Sequence, residues 1–77
     1  MPADSASQDS VLQEATRELE AAIHDARVAY DCIALGEIDR AHTSAVTARV
    51  AIDAAVTALQ AALGQAASQA EGQSAAR

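Results

Sequence analysis

Apolar and small residues recur at three- and four-residue intervals along two stretches of the chain. With heptad position a set at Leu12, Leu19, Ala26 and Ile33, position d falls on Ala15, Ala22, Ala29 and Gly36. In the second stretch a falls on Ile38, Ala45, Ile52 and Leu59, and d on Ala41, Ala48, Ala55 and Ala62. A sustained heptad of this kind marks helices that pack lengthwise. The pattern predicts an all-α protein built as an antiparallel two-helix hairpin.

The breakers set the boundaries. Helix is expected over about 11–35 and 39–63, each free of Pro and Gly inside. Ser10 and Gln13 have capping-box spacing, with Asp9 as a rival cap, so residues 1–9 are expected to be a flexible leader. Gly36 suits a left-handed helix end, and Asp39 is placed to cap the second helix. Gly64 is expected to stop that helix, leaving residues 65–77 as a flexible or frayed tail. The hairpin itself is then 10–64. Its near-equal helices, joined by about three residues, must lie antiparallel along their length.

In this frame every d position is Ala or Gly, while most a positions are large. An a/d seam of that kind would close tightly. The flanks differ. Position e carries Ile23, Tyr30, Val56 and Leu63, and position g carries Glu18, Asp25, Ser44 and Gln65. An antiparallel pair sets e beside e, which suggests Ile23 near Val56 and Tyr30 near Arg49. A lone hairpin cannot cover an a/d/e face, and uncovered apolar surface of that size calls for a partner. The expectation is a homodimer, two hairpins pairing through Ile23, Tyr30, Val56 and Leu63 into a four-helix bundle. A partner's helix in the same groove is the other solution.

Composition narrows the classes. Ala supplies 22 of the 77 residues, Tyr30 is the sole aromatic, and the only Pro is Pro2. The net charge is −6 with no Lys, and Arg17, Arg27, Arg40, Arg49 and Arg77 are scattered. No clustered basic face is offered to nucleic acid or to an anionic membrane. No apolar run approaches the roughly 18–20 residues of a transmembrane helix. Met1 to Ser10 carries Asp4 and Asp9 without an apolar stretch, unlike a signal peptide. The expectation is a soluble, cytoplasmic protein with an acidic surface.

Candidate chemistry is sparse. His24 falls at f and His42 at e, and neither has the companions a metal site needs. Cys32, at g, reads as a small apolar residue rather than as a partner for His42. Glu14, Glu18, Glu20, Asp25 and Asp31 give helix 1 a negative exterior. Phosphate loops, nucleophile elbows, CxxC and HExxH are missing from the sequence. The reading is a protein that is not an enzyme, with no catalytic, cofactor or metal residues and no evident small-molecule substrate.

The tip Leu35-Gly36-Glu37-Ile38-Asp39-Arg40-Ala41 resembles the turn between helices of a tetratricopeptide repeat. The short two-helix plan, with segments such as Leu19-Glu20-Ala21-Ala22-Ile23 and Ile52-Asp53-Ala54-Ala55-Val56, resembles the hairpin co-chaperones of type III secretion needle subunits. That resemblance implies a chaperone that holds a partner helix. Three functions are therefore carried forward. The first is a homodimeric interaction module acting as adaptor, small chaperone or inhibitor. The second is a heterocomplex subunit that folds on its partner. The third is a metal or redox sensor using Cys32 and the histidines.

Overall fold

The computed structural model describes the backbone of residues 2–75 and the side chains of residues 8–68 and 70. It is an antiparallel hairpin of two long helices, α1 (Pro2–Ala34) and α2 (Ile38–Ala75). Both helices outrun the expected bounds. Ser10 lies inside α1, and Pro2 takes the first helical position, where its missing N–H costs nothing. Gly64 lies inside α2 and does not stop it. One Gly costs a helix about 1 kcal/mol, and the Ala and Gln around it absorb that. Of the segments expected to be loose, 1–9 and 65–77, residues 1, 76 and 77 lie outside the described ones. The backbone of the rest continues the helices.

The turn is Leu35–Glu37. Gly36 has φ +76°, a conformation that a side chain disfavours. Around it the Glu37 N–H donates to the Cys32 carbonyl at 2.8 Å and the Gly36 N–H to the Ile33 carbonyl at 3.0 Å. This pair of bonds is the Schellman closure of a helix C-terminus. Glu37 then opens α2, its carbonyl accepting from the Ala41 N–H at 2.9 Å. Glu37 therefore replaces Asp39 as the capping residue. Asp39 sits in the first turn, where its charge complements the helix dipole. The Glu37 carboxylate accepts a hydrogen bond from Arg40 at 2.7 Å instead of capping an amide.

The seam differs from the expected a/d pairing. The buried side chains are Ala15, Ala22, Ala29, Cys32, Ala41, Ala51, Ala55, Ala58 and Ala62. Half-buried Val11, Glu18, Asp25, Ser44, Ala48 and Gln65 complete the row. In heptad terms this seam is d/g. Counting outward from the turn, Cys32 comes level with Ala41, Ala22 with Ala51, and Ala15 with Ala58. The same register sets Ile23 level with Arg49 and Tyr30 with His42, two helical turns from the pairings expected above. The reason is steric. In α2 the g residues Ser44, Ala51 and Ala58 are as small as the d residues, so a d/g seam lets the backbones approach closely. Leucine and isoleucine at a would hold them apart.

One sequence expectation about hydropathy also changes. Ile38–Ser68 in α2 is long and apolar enough, by composition, to cross a membrane, with mean hydropathy 1.4 over its best window. Val46, Val50, Ile52, Val56, Leu59 and Leu63, with the alanines between them, raise the average.

Candidate functional site

Side chains outside the seam sort by heptad position. Positions a and e project to one face of the hairpin, c and f to the other, and b to the outer edges. The a/e face carries Leu12, Leu19, Ile33, Ile38, Ile52 and Leu59 at a, and Ile23, Tyr30, Val56 and Leu63 at e. All ten are exposed, from 38% at Leu19 to 75% at Tyr30. The four residues singled out from the sequence, Ile23, Tyr30, Val56 and Leu63, belong to this set. The six at a were assigned to the seam by sequence reasoning and lie on the open face instead. The signal that could have found them was the run of small residues at g in α2.

Charge avoids this face. Between Leu12 and Leu63 its only basic side chains are His42 and Arg49, and it carries no carboxylate. Glu14, Glu18, Glu20, Asp25, Asp31, Glu37, Asp39 and Asp53 all fall at b, c, f or g. Halfway along, the face narrows to a waist of Ala26 and Ala45, with bulky residues on either side. Among the described residues, ion pairs join Glu14 to Arg17 and Glu37 to Arg40, both off this face. The i,i+4 pairs Arg27–Asp31 and Arg49–Asp53 do not close.

The opposite face is mostly polar and small, with Val28, Leu35 and Val50 scattered along it. An open, shallow groove there is lined by Val11, Glu14, Arg17, Ala54, Thr57 and Ala61. The hydrogen bond from Arg17 holds the Glu14 carboxyl below the ordinary value of 4.5. Glu18 is pushed above it, first by the proton it shares with Glu14, then by partial burial and the Glu14 charge. Split pKa values can mark an acid–base site. Here the shared proton and Arg17 account for the split, and the groove around them is open to solvent. Cys32 is buried in the seam at 4% exposure, while His42 stands exposed on the a/e face. The described residues contain no group of three metal-ligating side chains.

The fold and the face together define a small all-α hairpin whose large apolar side chains point away from its own core. No protein-family model, curated protein or solved structure matches the chain.

Proposed function

We propose that this protein is a non-enzymatic protein–protein interaction module that works as a homodimer, in the role of adaptor, small chaperone or inhibitor of a larger partner. One observation carries the reading. The seam buries alanines and one cysteine, while ten large apolar side chains share a single exposed face. Full burial of one such side chain is worth about 1.5–3 kcal/mol, against far less for an alanine. Between 38% and 75% of each of those ten residues remains open, and that share of the stabilisation is released only when the face is covered. Eight acidic residues between Glu14 and Asp53 surround the face without entering it. They keep the assembled particle soluble and offer a rim to a basic partner.

Sedimentation equilibrium at micromolar concentration tests the reading. A mass of two chains is expected. A well-folded, helical monomer would overturn the homodimer. A chain that is poorly helical alone and gains helix on a partner would move the assignment to the heterocomplex subunit.

A further inference from the structure

We infer that the second copy docks face to face with its tip at the opposite end of the bundle, so that α1 lies against α1 and α2 against α2. The inference rests on the homodimer reading above and specifies its geometry. Area supports a second copy as the occupant. The paired part of the face is about 37 Å long at 1.5 Å per residue, and the hairpin is 17 Å wide. That is on the order of 600 Å² in projection, close to the roughly 800 Å² per partner that a stable interface buries. A face-to-face contact also keeps the acidic edges of the two copies on the outside.

Shape decides the orientation. A two-fold axis in the interface plane allows two arrangements. With the tips together, each level of one hairpin meets the same level of the other. The Ala26/Ala45 waist would then face its own copy, leaving a hollow between bulky layers, and Ile23 would press on Arg49. Such a hollow is costly. With the tips apart, the small waist of each copy meets bulky residues of the other. Leu19 lies over the second copy's Ala26, and Ile52 and Val56 lie about the second copy's Ala45. Leu12 comes to the level of the second copy's Ile33, and Ile23 meets its own equivalent near the axis. Arg49, the one full charge on the face, comes within reach of the second copy's Asp53 on the bordering edge. The α2 pair forms that contact twice by symmetry.

A distance measurement tests the geometry. The chain carries Cys32→Ala, to remove the native thiol, and Glu20→Cys at an exposed outer-edge position near the middle of the paired face, which is spin-labelled. With the tips apart, α1 lies on α1, and the two labels share one edge of the bundle within about 20 Å. A dimer with labels about 30 Å apart, on opposite edges of a bundle whose hairpins are 17 Å wide, would overturn the orientation and leave the homodimer standing. Any mass other than that of two chains would overturn the homodimer beneath it. A charge exchange gives a second readout. Asp53→Arg alone should weaken the dimer at low salt, and Arg49→Asp added to it should restore the affinity. Equal affinity in all three chains would remove the Arg49–Asp53 contact.

Discussion

The Glu37 amide reaches back past Gly36 to the Cys32 carbonyl at 2.8 Å, so the last turn of α1 and the capping residue of α2 share one bond. That bond requires the left-handed backbone of Gly36, φ +76°. A Cβ at Gly36 would meet nothing within 4 Å, so any cost of adding one is conformational. Gly36→Ala is expected to destabilise the hairpin by about 1–2 kcal/mol, read as a lower urea midpoint at unchanged slope.

The same substitution at Gly64 should have the opposite sign. Gly64 is inside α2 with ordinary helical backbone, and a Cβ there also meets nothing within 4 Å. Gly64→Ala removes freedom from the unfolded chain and strains nothing. A gain of about 0.4–1 kcal/mol is expected. A loss would mean that the helix is not continuous through that position.

Much of this fold can be read from the sequence, and the failures have a common cause. Gly36 announces its turn because no other residue type takes that conformation as cheaply. The all-α hairpin follows from two long runs without Pro or Gly. Asp39 as a cap and Gly64 as a stop fail because both rest on residue type alone, while the Schellman bonds fix the helix start two residues earlier, at Glu37. The seam fails more instructively. Leucine and isoleucine at a look like a core, since apolar residues are usually inside. Yet Ala51 and Ala58 at g let the helices close on a buried row of alanines and Cys32, with Val11, Glu18, Asp25 and Gln65 half-buried beside it. The apolar flank of Ile23, Tyr30, Val56 and Leu63 is legible. Its full extent is not, because Leu12, Leu19, Ile33, Ile38, Ile52 and Leu59 could serve either surface by pattern.

The alanine seam leaves no room for larger groups. Ala55 is 1% exposed and lies level with Glu18 across the seam. Ala55→Leu must push the helices apart or leave its rotamer well, at a cost of about 1–3 kcal/mol. Ala21→Leu, exposed at c away from both the seam and the a/e face, should leave the stability close to unchanged. Thermal unfolding of both variants by circular dichroism separates them. Equal midpoints would mean that the seam is not close-packed.

Glu18 should make stability depend on acid. Its folded pKa lies above the ordinary value of 4.5. Its contribution is therefore complete below 4.5 and is lost as pH rises through the raised value. Glu14 is shifted down, so its contribution is present above 4.5 and fades as pH falls through its lowered value. Glu18→Gln keeps a hydrogen-bond donor for Glu14 at every pH and removes the like charge. The variant is expected to melt higher than the parent at pH 7. The difference should close as pH falls toward 4.5, where the parent's Glu18 regains its proton. A difference that is constant with pH would show that the two carboxylates do not share a proton.

Val56 and Val50 provide the sharpest test of which face is used. They lie on the same helix at similar exposure, 46% and 60%, but Val56 is at e on the apolar face and Val50 at f on the polar one. Val56 keeps 46% exposure in the hairpin, so Val56→Asp removes about 0.7–1.4 kcal/mol of apolar burial from each copy in the assembled dimer. The two copies together lose about 1.4–2.8 kcal/mol, about one to two orders of magnitude in Kd. The carboxylate it buries adds to that. Val50→Asp enlarges an already acidic surface and should leave the mass unchanged. Ile23→Asp, on the other helix of the same face, should behave as Val56→Asp does. Because all three side chains are exposed in the hairpin, each variant should remain helical, so a change in mass reports the interface and not the fold. Dissociation by Val50→Asp but not by Val56→Asp would place the interface on the c/f face and overturn the assignment made here.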